Sequence, residues 1–185
     1  MKSCIGIDPG WASFAITVRV MDEDPLAKVK ESSLFLCPKD LPSIKDLFYQ
    51  IDRGLPPYFR IAEDVYIERF AAYEDVHSPV SEQVNRIIGA LEFYFSYINK
   101  ATVHLVRAIE WKPALCKYLV RTKSFTNPST KFDKKFSMAA AKSVSLSEQP
   151  ILNDHIADSI CLSSMKLVDI YNEELKSRRT GTKSP

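Results

Sequence analysis

The sequence predicts an α/β domain built on a mixed sheet, and three observations predict it. β-rich runs crowd into the first 37 residues, later apolar residues recur at helical spacing, and two further short β-runs lie among those helices. The opening runs are Ser3 to Asp8, Ser13 to Met21 and Ser33 to Cys37. The turn signal Asp8-Pro9-Gly10 and the acidic stretch around Asp22 to Asp24 separate them, which reads as an antiparallel meander. Ser43 to Ile51 has helical spacing, and Val65 to Phe70 makes a fourth strand. From Pro79 to Ile98, the positions of Val80, Val84, Ile87, Ile88, Leu91 and Phe95 mark a long helix, with Ser78 as N-cap and Pro79 at its first position. Thr102 to Val106 makes a fifth strand. Helices near Lys112 to Val120 and Lys134 to Val144 flank a polar loop from Thr122 to Asp133, and a last helix starts at Asn153. The regular βαβ repeat of a doubly wound sheet is missing.

A chain of 185 residues, 45% hydrophobic and 26% charged, has the size and composition of one ordinary soluble domain. That domain is expected over residues 1–176, followed by a flexible basic tail, 177–185. No apolar stretch approaches the ~20 residues of a membrane span, and the N-terminus meets Asp8 too early for a signal peptide. A cytosolic location without membrane contact is therefore expected. Cys4, Cys37, Cys116 and Cys161 stand far apart and suggest buried thiols, not a zinc site or a disulfide framework.

The formal net charge of +2 hides a concentration of basic residues. Residues 98–142 carry ten Lys and Arg side chains against only Glu110 and Asp133. Arg107, Lys112, Lys117, Arg121, Lys123, Lys131, Lys134, Lys135 and Lys142 make this stretch either a solvated loop surface or a phosphate-binding surface beside an acidic remainder.

Three acidic elements stand out. Asp8 ends the apolar run Ile5-Gly6-Ile7, where it either opens a turn or presents a carboxylate at the sheet edge. Glu68, in Val65-Tyr66-Ile67-Glu68-Arg69-Phe70, puts charge at the end of a central strand, which an ion pair or a metal would have to satisfy. The third is Asn153-Asp154-His155-Ile156-Ala157-Asp158, with Asn153 as N-cap. Both Asp154, at i,i+4, and His155, at i,i+3, share a helix face with Asp158. The helix macrodipole accounts for Asp154 but not for Asp158, which lies beyond the first turn.

IGIDPG, YIERF and DHIADSICLS resemble, in order and separation, the three motifs of RuvC-like Holliday-junction resolvases, from Ile5 to about Val168. One departure is that the aromatic residue expected three positions after the family's Glu is here Phe70, two positions on. The resemblance implies an RNase H-like fold with a mixed five-stranded sheet flanked by helices. It also implies two magnesium ions, replaceable by manganese, held by Asp8, Glu68, Asp158 and either His155 or Asp154, with His155 the first choice. Clustered carboxylates repel unless a divalent ion neutralises them, and oxygen-rich ligands favour magnesium or manganese over zinc. The activity implied is structure-selective endonuclease cleavage of four-way DNA, leaving a 5′-phosphate and a 3′-hydroxyl. The partners implied are branched DNA and a second copy of the chain. Lys112 and Lys134 or Lys135 are the first phosphate contacts, and Phe70 and Tyr73 are either base-stacking or packing residues. The aromatic excess at Phe93, Tyr94, Phe95 and Tyr97 is the candidate dimer surface. A bacterial or phage-type member fits the short chain. Other readings are a nuclease of the same fold acting on flaps, forks or RNA–DNA hybrids, and a non-catalytic nucleic-acid-binding module. An actin-like ATPase would need a second glycine-rich phosphate loop, which the five glycines do not form.

Overall fold

The computed structural model describes residues 3–21, 31–69, 78–125, 131–147 and 150–180. Its five strands are β1 (Ser3–Asp8), β2 (Phe14–Val20), β3 (Glu31–Leu36), β4 (Asp64–Glu68) and β5 (Thr102–Val106), in the sheet order β3-β2-β1-β4-β5. β1, β2 and β3 pair antiparallel, whereas β1–β4 and β4–β5 are parallel. The sheet is therefore mixed, as the sequence predicts.

Alternation along the strands builds two cores. Ile5 and Ile7 of β1 and Val65 and Ile67 of β4 face Leu47 and Ile51 of α1 (Ile44–Gly54) and Val84, Ile87 and Leu91 of α2 (Pro79–Phe93). Cys4 and Tyr66 face the other way, toward α3 (Ala108–Arg121), α4 (Lys134–Val144), α5 (Asp154–Ser163) and α6 (Met165–Thr180). By the same period of two, Asp8 and Glu68 belong to this second face. The register pairs Ile7 with Ile67, so the two acids stand side by side at the carboxyl ends of parallel neighbours.

What lays α5 onto this face is the absence of a side chain. A Cβ on Gly6 would come within 2.1 Å of the Ser159 carbonyl oxygen and 2.2 Å of the Ser163 nitrogen. Only glycine lets the helix backbone approach β1 so closely. Thr17 of β2 then bonds Ser159 through their hydroxyls at 2.7 Å. Asn153 caps the helix, accepting from the Ile156 amide at 2.8 Å.

Several boundaries differ from the sequence reading. α3 begins at Ala108, not near Lys112, and carries Pro113 inside it. Glu110 supports this early start by accepting from the Arg107 amide at 3.0 Å and from its guanidinium at 2.6 Å. The last helix is two helices, broken at Ser164. There the Ser163 and Ser164 hydroxyls both donate to the Ile160 carbonyl, at 2.8 and 2.9 Å, which diverts the backbone ladder. Residues 177–180 of the expected tail lie in α6. The long helix ends at Phe93 and continues to Ile98 as a wider π-helical turn that buries Phe95.

The opposite end of the sheet is closed by buried charge. Arg19 of β2 and Glu31 of β3 pair at 2.5 Å, and both extend to the end of α4. Arg19 donates to the Val144 carbonyl at 2.7 Å, and Ser145 donates to Glu31 at 2.6 Å. Asp64, at the start of β4, is held by His104 at 2.9 Å and Lys166 at 3.0 Å. Cys4, Cys116 and Cys161 are buried as expected, and Cys37 is only half-buried.

Candidate active site

Asp8 and Glu68 are brought beside the start of α5, and each predicted ligand has a distinct partner. Asp8 Oδ2 lies 2.7 Å from His155 Nδ1. Asp158 Oδ2 accepts from Lys112 Nζ at 3.2 Å. Glu68 Oε2 accepts from the indole Nε1–H of Trp111 at 2.9 Å. Asp154 turns outward to Lys134 at 2.8 Å. Of the two rivals for the fourth ligand, His155 thus touches Asp8 and Asp154 engages α4 instead. The two side chains are about 100° apart around the helix, so they cannot point the same way.

The electrostatics follow from this crowding. Burial, with Asp8 and Asp158 adding repulsion, pushes Glu68 up to about 7. Burial also raises Asp158, although Lys112 opposes it, as does the nearby Ser137 hydroxyl. That hydroxyl itself lies 3.5 Å from the Asp133 carbonyl, and no hydrogen bond reaches the buried Asp158 Oδ1 among the described residues. The bond to Asp8 holds His155 above the ordinary histidine range, and Lys134 keeps Asp154 below the ordinary carboxylate range.

Among the described residues, no three His, Cys, Asp or Glu side chains converge as a ready cage for an ion. The donor set nevertheless fits a hard divalent cation. It offers three carboxylates and an imidazole, and among the described residues no hydrogen bond reaches the buried Asp158 Oδ1.

Of the predicted basic residues, Lys112 reaches Asp158 within this site and Lys134 reaches Asp154 at its rim. Lys135 is exposed in the first turn of α4, and Lys131 lies just before it. Arg107 is engaged with Glu110. Lys117 and Arg121 line a groove between α3 and α6 together with Tyr118, Tyr171 and Asn172. Lys123 follows α3 in the left-handed conformation, φ 59°. Phe70 and Tyr73 lie outside the described residues. Trp111 was not a sequence candidate, because its spacing to Leu115 and Leu119 marks only a core face.

The chain matches no protein-family model and no curated protein sequence. Its fold is similar to the RuvC structure from Thermus thermophilus, with a TM-score of 0.60 and 16% identity over 97% of each chain. This chain has the RuvC fold. A second similar structure is T. thermophilus RuvC in complex with a Holliday junction substrate, with a TM-score of 0.59 and 15% identity over 97% of each chain. With so little identity, the RuvC fold extends over nearly the whole chain while the roles of individual residues rest on the geometry described above. No described helix is long and apolar enough to cross a membrane.

The raised Glu68 gives a testable pH dependence. Its folded value of about 7 lies above the ordinary 4.5, so between those values the folded protein keeps a proton that the unfolded chain has lost. Stability in EDTA should therefore fall as pH rises through that window and stay low above it. The penalty is at most about 3 kcal/mol, and solvent at this half-buried group reduces it. Glu68→Gln should melt above the wild type in EDTA near pH 8, and the two should converge below about pH 5. Equal melting temperatures near pH 8 would contradict the assignment.

Proposed function

We propose that this chain is a structure-selective DNA endonuclease that resolves four-way junctions by divalent-metal-dependent phosphodiester hydrolysis. The observation that carries the reading is the side-by-side placement of Asp8 and Glu68 at the carboxyl ends of β1 and β4, with His155 and Asp158 of α5 laid against them. Open α/β sheets place their ligands at such strand ends. The RuvC fold, and the junction-bound T. thermophilus RuvC of the same fold, support the substrate class.

Asp8, Glu68, Asp158 and His155 would hold two magnesium ions, which supply charge neutralisation at the phosphate and a nucleophilic water at neutral pH. The chain's own residues do the rest. His155 must shed a proton to ligate, and its bond to Asp8 keeps that proton, so acid pH disfavours the loaded site. Lys112 and Lys134 stand where a phosphate can replace their carboxylate partners, and Lys135 extends the cationic rim along α4. Water adds to phosphorus, the P–O3′ bond breaks and the 3′ oxygen takes up a proton, leaving a 5′-phosphate and a 3′-hydroxyl. Symmetric cutting of a four-way junction takes two such sites. A homodimer through the end of α2 and the π-helical turn after it supplies them, where Phe93 and Tyr97 stack with ring centroids 5.2 Å apart and both remain exposed.

Variants at the start of α5 test the ligand set. His155→Ala should lose magnesium-supported cleavage, His155→Asp should retain part of it, and Asp154→Asn should be mild. Inactive Asp154→Asn beside near-normal His155→Ala would transfer the role to Asp154. The function itself is tested by a substrate panel of a four-way junction, a flap and an RNA–DNA hybrid with magnesium. Preferential cleavage of the junction is expected, and cleavage of the hybrid alone would overturn the substrate assignment.

A further inference from the structure

Trp111 is 1% exposed and packs in the core beneath the candidate active site. An indole N–H can only donate, and a buried one needs an acceptor. Here the acceptor is a functional carboxylate, Glu68 Oε2 at 2.9 Å, and not a backbone carbonyl of the surrounding core. The next residue, Lys112, places its ammonium 5.0 Å over the Trp111 ring and 3.2 Å from Asp158. Consecutive residues of α3 thus hold two carboxylates of the site.

The two contacts differ in what a cation would do to them. The Lys112 ammonium competes with any divalent ion for Asp158 and has to give way. The neutral indole carries no charge to repel an ion, so its bond can persist while Glu68 uses its other oxygen. A large, closely packed ring also fixes that bond more rigidly than a flexible side chain would.

We infer that Trp111 is a positioning residue for Glu68, whose indole N–H fixes the carboxylate in its cation-binding orientation. This inference rests on the reading of the site as a divalent-metal nuclease. Partners of this kind, one step removed from a metal, typically change metal affinity by about 10- to 100-fold when removed.

The test is Trp111→Phe, which fills most of the same core volume and removes only the donor. Direct titration with Mn2+, followed by calorimetry, should show about a 10-fold or greater loss of affinity. The magnesium concentration for half-maximal junction cleavage should rise in parallel, with junction binding unchanged. A lower melting temperature with unchanged Mn2+ affinity would overturn the inference and leave Trp111 a packing residue.

A second measurement does not alter position 111. The chain has two tryptophans, so Trp11→Phe leaves Trp111 as the sole indole. Its fluorescence should change saturably with Mg2+ and lose that response in Glu68→Gln. An emission that stays constant across the magnesium range supporting cleavage would overturn the inference. If the wild type neither binds Mn2+ nor cuts junctions, the nuclease reading falls and takes this inference with it. If the wild type does both and Trp111→Phe matches it, this inference alone falls.

Discussion

Asp8→Asn and Glu68→Gln are each expected to reduce junction cleavage by at least about a thousandfold, the ~4 kcal/mol of transition-state stabilisation that a correctly held divalent ion supplies. Both substitutions keep the shape of the side chain and remove its charge. Junction binding is expected to survive, because Lys134 and Lys135 project from α4 and depend on neither acid. Removing negative charge from the site should even favour the DNA phosphates slightly. Gel-shift binding measured beside single-turnover cleavage separates the two properties. Cleavage at the wild-type rate by either variant would remove the acid from the site, and parallel loss of binding and cleavage would point to damaged folding.

The second large effect is expected at Gly6. An alanine there drives its Cβ into the α5 backbone, where the Ser159 oxygen at 2.1 Å and the Ser163 nitrogen at 2.2 Å cannot turn aside as a side chain would. Either α5 lifts from β1 or the strand buckles. Overpacking of this kind costs about 3 kcal/mol or more, equivalent to a drop of roughly 10 °C in a domain of this size. The same displacement separates His155 from Asp8, so any folded Gly6→Ala protein should bind magnesium poorly. Thermal unfolding checks the first effect and Mn2+ titration the second. A Gly6→Ala protein as stable as the wild type would show that the helix does not rest on this strand.

Local physics explains what the sequence revealed of this arrangement. The period of two in β1 and β4, the turn at Asp8-Pro9-Gly10 and the caps at Ser78 and Asn153 act within a few residues, so strands and helices were readable where they occur. The pairing of Asp8 with Glu68 was less direct. The resemblance of the motifs supplied it, and the register Ile7 with Ile67 gives it geometry.

What the sequence concealed depends on long-range contacts. The Trp111–Glu68 bond joins residues 43 apart, and the apolar spacing of Trp111 on α3 hid its polar atom. A buried tryptophan usually finds an acceptor for its N–H, which is the signal that could have flagged it. Arg19 and Glu31 form a buried pair tied to α4, a contact between strands and helix that no local pattern marks. The break at Ser164 arises from two hydroxyls returning to one carbonyl, and helical periodicity continues across it. The helix expected near Lys112 is carried back to Ala108 by the Arg107–Glu110 pair.

The most direct measurement uses the purified wild-type chain and a synthetic four-way junction labelled at its 5′ ends, with magnesium or with EDTA. Paired, symmetric nicks that a DNA ligase can reseal are expected with magnesium and none with EDTA, since ligation requires a 5′-phosphate beside a 3′-hydroxyl. An intact junction under both conditions, or nicks that persist in EDTA, would contradict the assignment of Asp8, Glu68, Asp158 and His155 as a metal-dependent nuclease centre.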